Sequence, residues 1–127
     1  MKKMTTILLV EEIELGLDFW TQTLGFSVTF KMDHNEKLGF VILSQGNWEV
    51  MLQTRDSMGS DVPALAQFRF PPACVLYFDV EKLDDLLPKL AGLEVVVPKR
   101  KTFYGAWEVF VREPCGHVLG FAEPVAE

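Results

Sequence analysis

One structural unit occurs twice in this sequence, and this repeat constrains the fold more than any other feature. Val10 and Glu11 match Val80 and Glu81, which lie about seventy residues further along the chain. The other matched positions are Ile13 with Leu83, Leu17 with Leu87, Gly25-Phe26 with Gly92-Leu93, and Gly46 with Gly116. Self-similarity at a fixed spacing indicates a duplicated supersecondary unit.

The first copy has the residue periodicity of a β-α-β-β-β unit. The apolar run "TTILLV" predicts a strand, and helical spacing relates Ile13, Leu17, Trp20 and Leu24 within "EEIELGLDFWTQTLGF". Gly25 then ends the predicted helix. Three further strands are predicted in "FSVTFKM", "LGFVILS" and "WEVMLQT", the last two joined by a hairpin at Gly46.

The second copy repeats this order. It contains a strand in "ACVLYFDV", a helix in "EKLDDLLPKLAGL", a strand in "LEVVVPK" and a hairpin from "AWEVFVRE" to "HVLGFAE". Because proline breaks or kinks a helix interior, Pro88 predicts that the second helix is short or bent.

These patterns predict an α+β fold in which two βαβββ repeats form a curved mixed sheet around a concave cavity. We expect a single domain over residues 1–127, with repeat one at about 4–54 and repeat two at about 73–124. Residues 55–72 contain Gly, Pro, Ser and Asp, and we interpret them as a connecting loop. Loops of that length often serve as binding loops or lids, or are disordered.

Charge and composition exclude several classes of partner. The net charge of −6 argues against nucleic acid, which is bound largely through Lys and Arg. No apolar run approaches the length of a membrane span, and acidic residues follow the short N-terminal apolar run too soon for a signal peptide. We therefore expect a cytoplasmic protein without membrane or nucleic-acid partners.

Several segments resemble the vicinal oxygen chelate superfamily, which includes glyoxalase I, fosfomycin-resistance enzymes, extradiol dioxygenases and bleomycin-resistance proteins. "LGLDFWTQTLGFSVTF" is similar to its helix-to-strand signature, and "LYFDVEKLDDL" resembles the start of its second repeat. "YGAWEVFVREPCGHVLGFAE" resembles its closing segment. The resemblance spans nearly the whole chain and implies the duplicated fold.

The resemblance also implies where a metal ion would bind. Metal-dependent members place four inward ligands, two from each repeat, that are commonly His or Glu. The aligned positions here are Met4, Met51, Val75 and Gly120, and none supplies a ligand suited to a hard divalent ion. We therefore predict no metal ion, no cofactor and no catalytic residue, and we interpret Gly120 as leaving room where a metal enzyme carries a carboxylate.

Strand alternation predicts which side chains face the cavity. If "QG" is a two-residue loop, Phe40 pairs with Met51, and if "EPCG" is the second turn, Val109 pairs with Gly120. The first sheet then presents Phe40, Ile42, Glu49, Met51 and Gln53, and the second presents Val75, Tyr77, Trp107, Val109, Val118 and Gly120. A one-residue bulge would exchange these lists, and a collapsed core is the alternative to a cavity.

The resemblance adds aromatic residues to the predicted site. In bleomycin-resistance relatives the segment corresponding to "KTFYGAW" lies at the binding groove, where aromatic rings stack on a flat, cationic drug and two chains form a homodimer. The predicted ligand-binding residues are thus Phe40, Glu49, Met51, Gln53, Tyr77, Phe103, Tyr104, Trp107 and Gly120. The sequence does not distinguish two arrangements: the repeats can pair within one chain, or they can be exchanged between two chains.

Three functions remain open from the residues. The first is a metal-independent protein that sequesters an aromatic or cationic small molecule, as the resemblance to bleomycin-resistance proteins implies. The alternative is a metal-dependent lyase or dioxygenase with diverged ligands, for which Glu49 is the best candidate. The third is a structural or interaction protein without a pocket.

Overall fold

The structure is a computed structural model that describes residues 1–66 and 74–125. The chain divides into two compact units, Met1–Phe70 (unit 1) and Pro71–Glu127 (unit 2), so that each unit contains one sequence repeat.

Unit 1 contains a four-stranded sheet in the order β1-β4-β3-β2, in which β1 runs parallel to β4 and the other pairs are antiparallel. Its elements are β1 (Thr6–Val10), a 3-10 turn (Ile13–Leu15), a π-helical turn (Phe19–Thr23), β2 (Ser27–His34), β3 (Lys37–Gln45), β4 (Trp48–Thr54), α1 (Arg55–Asp61) and α2 (Pro63–Ala66).

Unit 2 repeats this topology, with a sheet in the order β5-β8-β7-β6 and β5 parallel to β8. Its elements are β5 (Leu76–Asp79), α3 (Leu83–Leu86), a 3-10 turn (Leu87–Leu90), β6 (Glu94–Lys101), β7 (Trp107–Arg112) and β8 (Val118–Glu123). The identical strand order confirms the predicted α+β fold and its duplication.

The helical segments between β1 and β2 are shorter than the helix predicted there. The continuous helix expected between residue 11 and Gly25 is wrong, because a 3-10 turn and a π-helical turn take its place around Gly16, a poor helix former. Ile13 and Trp20 are nevertheless completely buried, as their apolar spacing predicts. The effect of Pro88 is confirmed, since α3 ends at Leu86 and continues as a 3-10 turn.

One face of each sheet forms the core of its unit. In unit 1, Val41, Leu43 and Leu52 have no exposed surface, and the 3-10 turn packs on β3 and β4. The opposite face, which carries Phe40, Ile42 and Met51, is only half-buried. The side chains that alternation assigns to a cavity therefore lie on the face that the helical turns leave uncovered.

The first hairpin differs from the assumed pairing without changing this face. Gly46, with a φ of +57°, and Asn47 form the two-residue loop, so Ser44 pairs with Glu49 and Phe40 with Gln53 rather than with Met51. The register is displaced by two residues, and because side chains alternate with period two, every residue keeps its predicted face.

The strand register of the second hairpin differs from the predicted register by one residue. The side chains of β7 therefore lie on the opposite face, relative to those of β8, from the one predicted. Its turn covers residues 113–117, so Phe110, not Val109, lies opposite Gly120. Val109 is instead buried opposite Phe121 in the core of unit 2, and Trp107 pairs with Glu123. The prediction that Trp107 and Val109 share a face with Gly120 is therefore wrong, because a five-residue turn stands where four residues were assumed.

The predicted connecting loop at 55–72 is helical over its first part. Thr54 caps α1, since its Oγ1 accepts a hydrogen bond of 3.1 Å from the backbone N–H of Ser57. Helix α2 follows, and residues 67–72 lie outside the described residues. In the described ranges, no helix has the length and apolar character needed to cross a membrane.

Candidate functional site

A cavity of about 720 Å³ lies on the half-buried sheet face of unit 1, beside α1. Most of its lining is apolar, and the remaining side chains are Ser, Gln, His and Asp. The lining residues are Ile7, Phe30, Met32, Asp33, His34, Phe40, Met51, Gln53, Ser57, Met58, Ser60, Asp61 and Val62.

The strand register brings the apolar side chains of this cavity together. Ile7 lies opposite Met51 across the parallel pair β1 and β4. Met32 lies opposite Phe40, and the rings of Phe30 and Phe40 meet edge to face with their centroids 6.0 Å apart. Directly paired side chains share one face of a sheet, so these residues form a continuous apolar surface.

Helix α1 supplies the wall of the cavity opposite this surface. Its start is held by the Thr54 cap and by an ion pair of 2.6 Å between Arg55 Nε and Glu11 Oε1. Met58, which is buried, projects from the helix into the lining. Thioether side chains adapt their shape readily, so this part of the wall can adjust to a group that packs against it.

Gln53 places a carboxamide among these apolar groups. Its side chain is buried, with 7% of the residue exposed, and Nε2 donates a hydrogen bond of 3.1 Å to Ser57 Oγ. The bond joins the end of β4 to the first turn of α1, four residues along the chain. A buried polar group in an apolar wall is costly unless it is paired, so this position has a defined orientation.

The charged side chains at the cavity are acidic. Asp33 and Asp61 are exposed lining residues, and His34 is half-buried beside them. The described lining contains no Lys or Arg. The electrostatic environment therefore favours a ligand that is positively charged or that carries hydrogen-bond donors.

Three of the nine predicted ligand-binding residues meet in this cavity: Phe40, Met51 and Gln53. Glu49 lies on the same strand but outside the lining, where its Oε1 forms an ion pair of 2.8 Å with Lys3 Nζ. Met58 of α1 was not among the predicted residues, because residues 55–72 were interpreted as a loop. Part of the signal was present, since Thr is a preferred helix N-cap residue and Thr54 directly precedes α1.

Unit 2 contains the remaining predicted residues and one that the sequence analysis did not select, Glu108. Tyr77 Oη donates a hydrogen bond of 2.7 Å to Glu108 Oε1. Arg100 Nε donates one of 2.8 Å to Glu108 Oε2, and Glu108 is almost completely buried. Desolvation and the hydrogen bond to Glu108 raise the pKa of the Tyr77 phenol above its ordinary value. Because Tyr77 keeps its proton, it acts as a hydrogen-bond donor at neutral pH.

The space above Gly120 is occupied by aromatic rings of the same unit. A side chain built on Gly120 would meet Phe110 Cε2 at 2.6 Å and Tyr77 Cδ1 at 2.8 Å. The two rings are neighbours, with centroids 5.9 Å apart. The interpretation of Gly120 as open room is therefore wrong: Gly is required because two rings pack directly against the strand.

The three aromatic residues predicted after β6 do not all gather around Tyr77 and Gly120. Phe103 is completely exposed, and it contacts Tyr104 edge to face at 4.9 Å between centroids. Trp107 begins β7, and Lys99 Nζ lies 4.9 Å from the centre of its ring. Tyr104 lies near enough to the Tyr77 hydroxyl to contribute to its raised pKa.

The parallel strand pair of each unit, β1 with β4 and β5 with β8, places one pair of residues at equivalent positions in the two units. In unit 1, Ile7 pairs with Met51, and in unit 2, Tyr77 pairs with Gly120. Met4 and Val75, the positions aligned from the resemblance, lie just before β1 and β5, which begin at Thr6 and Leu76.

These pairs do not suit the hard divalent ions of metal-dependent relatives. They offer one thioether and one phenol that is already hydrogen-bonded to Glu108. Within residues 1–66 and 74–125, no group of three or more His, Cys, Asp or Glu side chains is arranged to hold a metal ion.

Comparison with known proteins agrees with this architecture. The family model of the Glyoxalase/Bleomycin resistance protein/Dioxygenase superfamily matches residues 4–121. No curated protein matches the chain.

Solved structures share the fold at low sequence identity. A glyoxalase/bleomycin resistance protein/dioxygenase family enzyme from Burkholderia phytofirmans PsJN is 17% identical, with a TM-score of 0.76 over 95% of this chain and 97% of that one. TioX from Micromonospora sp. ML1 is 16% identical, with a TM-score of 0.71 over 98% and 100%. Lactoylglutathione lyase from Agrobacterium tumefaciens is 18% identical, with a TM-score of 0.70 over 95% and 92%.

Proposed function

The chain belongs to the glyoxalase/bleomycin resistance protein/dioxygenase superfamily, and from that premise we propose that it binds and sequesters a small molecule without a resident metal ion. The binding site is the cavity of unit 1 beside α1. The single observation that carries this proposal is a cavity of about 720 Å³ whose walls are mainly apolar and include Gln53. Small-molecule sites typically have volumes of roughly 300–1,000 Å³, apolar walls and a few polar groups that orient the ligand.

The ligand we propose is aromatic and carries positive charge. Phe30 and Phe40 offer ring edges and faces for offset or edge-to-face contact, which adds about 0.5–1.5 kcal/mol per ring pair beyond the burial of apolar surface. Asp33 and Asp61 at the exposed side of the cavity favour a cation over an anion. An anionic ligand of the same shape should therefore bind more weakly.

The alternative function is a metal-dependent lyase or dioxygenase. The fold similarity to a lactoylglutathione lyase favours it, and it would require metal ligands other than Ile7, Met51, Tyr77 and Gly120. Glu49 is the carboxylate nearest to these positions on β4, and in the structure it pairs with Lys3.

A dye titration tests the proposed function. Acridine orange, a flat aromatic cation, should bind with a fluorescence change and 1:1 stoichiometry, and the anionic dye 1-anilinonaphthalene-8-sulfonate should bind more weakly. Met32→Trp should block the cavity, because Met32 lines it and is sufficiently exposed to accept a larger side chain. Met4→Trp is the matched control, since Met4 is exposed and lies outside the lining. Equal dye binding by both variants would contradict the proposal.

We also propose a homodimer, which is supported by family resemblance and by the exposed aromatic residues Phe103 and Tyr104 in unit 2. Light scattering coupled to size-exclusion chromatography should give twice the chain mass of 14.4 kDa. Phe103→Ser should shift that mass toward one chain if the exposed ring contributes to the interface. A monomer at micromolar concentration would contradict this part of the proposal.

A further inference from the structure

We propose that the carbonyl oxygen of Gln53 selects the ligand, and that the ligand therefore presents an N–H or O–H donor beside its apolar ring. The inference rests on the proposed function, because it assigns a role within the same cavity. It adds the specific chemistry that the site recognises.

The first support is the hydrogen bonding of the Gln53 side chain. A carboxamide has two N–H donors and a carbonyl oxygen with two lone pairs. Nε2 donates to Ser57 Oγ at 3.1 Å, which leaves Oε1 with no bonded partner among the described residues. Every described side-chain N or O atom that is sealed from solvent has a hydrogen-bond partner, so the unbonded Oε1 is accessible to solvent. Gln53 lines the cavity, which gives a ligand there a route to this oxygen.

The second support is the rigidity of that orientation. Gln53 is the last residue but one of β4, and its strand partners are Leu9 and Phe40. Ser57, which receives its N–H, is held in the first turn of α1 through its backbone bond to Thr54. The carbonyl oxygen is thus fixed at one place in the apolar wall before any ligand binds.

The third support is the charge of the other polar groups. The lining carboxylates of Asp33 and Asp61 are hydrogen-bond acceptors, as is the Gln53 carbonyl oxygen. A site with these acceptors recognises donors. A ligand without a donor would leave the Gln53 oxygen buried and unpaired, which a site of this kind discriminates against.

Indole and benzofuran provide a matched pair of probes. They have nearly the same shape, but indole carries an N–H donor and benzofuran carries only an ether oxygen. Burial alone favours benzofuran, because it has no N–H group to desolvate. We expect indole to displace acridine orange at a concentration about three- to tenfold lower than benzofuran, as one net hydrogen bond implies.

Variants of Gln53 test the assignment. Gln53→Met keeps an unbranched side chain of similar length and should remove the preference for indole, so that indole and benzofuran displace the dye at similar concentrations. Gln53→Glu keeps acceptor oxygens and should retain the preference. Gln45→Met is the matched control, because Gln45 bonds the Leu24 carbonyl oxygen at 3.1 Å and lies outside the cavity. If Gln53→Met does not fold, Ser57→Ala should reduce the preference by freeing the carboxamide.

The outcomes separate the two proposals. If neither probe competes with the dye and Met32→Trp leaves dye binding unchanged, the proposed function fails and this inference fails with it. If both probes bind in the cavity with equal affinity in the native protein and in Gln53→Met, only the role of Gln53 is overturned. A preference for benzofuran that is lost in Gln53→Met would also overturn it, because the carboxamide would then present its N–H group.

Discussion

Tyr77 and Gly120 lie opposite each other on the parallel strands β5 and β8, and the Tyr77 ring occupies space that any side chain at residue 120 would need. The ring of Phe110 approaches the same backbone from β7. This packing explains a glycine in the middle of a buried strand, a position where glycine is otherwise unfavourable.

Replacing Gly120 should destabilise unit 2. Gly120→Ala places a methyl group within 2.6 Å of Phe110 Cε2, and overpacking of this kind costs about 1–3 kcal/mol. Urea denaturation would measure the loss of unfolding free energy. Phe110→Leu should partly relieve the clash, so the two changes together should cost less than the sum of each alone. Strict additivity in that double-mutant cycle would contradict the packing explanation.

The Tyr77–Glu108 hydrogen bond should make stability depend on alkaline pH. Because desolvation and Glu108 raise the pKa of Tyr77 in the folded chain, this group stabilises the fold fully below its unfolded pKa of about 10 and loses that contribution as the pH rises above it. Glu108→Gln should lower the folded pKa of Tyr77 toward 10. The absorbance of tyrosinate would report this, with Tyr104→Phe leaving Tyr77 as the chain's one tyrosine. An unchanged titration midpoint would contradict the role assigned to Glu108.

Loss of the Thr54 cap should loosen the wall of the cavity. Thr54→Ala removes the bond to the Ser57 backbone, which costs about 1 kcal/mol and allows the first turn of α1 to fray. Dye dissociation measured by stopped flow should therefore become faster. Thr29→Ala is the control, since the Thr29 hydroxyl bonds the Ile42 carbonyl oxygen within the sheet and caps no helix. An equal rate in Thr54→Ala and the native chain would show that the wall does not depend on this cap.

Metal ions should not be needed for ligand binding. The corresponding pairs Ile7–Met51 and Tyr77–Gly120 offer no hard-metal donor set, so we expect dye affinity to be unchanged by chelator. Calorimetric titration with zinc, nickel and manganese checks for stoichiometric binding. A tight 1:1 metal complex with metal-dependent turnover that disappears in Glu49→Ala would establish the enzyme alternative instead.

The two cysteines should react at very different rates. Cys74 is exposed, whereas burial and the nearby Glu113 raise the pKa of the Cys115 thiol to about 12. Because the thiolate is the reactive form, Cys115 should react slowly with a disulfide reagent at pH 8. Cys74→Ser should remove the fast phase of the reaction. A fast phase that persists in this variant would contradict the raised pKa of the half-buried Cys115.

Much of the architecture was predictable because it depends on local patterns. The repeat and the order of strands follow from matched glycines, apolar alternation and turn residues, and Pro88 predicted the short α3. The first helix was not predictable as two separate turns, because the apolar spacing of Ile13 and Trp20 is satisfied by either backbone. Helix α1 was missed, although Thr54 carries its start signal.

The order of amino acids alone determined the duplication, the strands and the family of this chain, since periodicity and turn chemistry are properties of neighbouring residues. The face on which each side chain lies in β7 and β8 was decided only by tertiary structure. One additional turn residue places Phe110 rather than Val109 against Gly120. The alternation of apolar and polar residues along the two strands is equally consistent with either pairing, so the sequence could not distinguish them. The cavity was likewise decided only by tertiary structure. Its wall depends on the packing of α1 across β4 and on the hydrogen bond from Gln53 Nε2 to Ser57 Oγ.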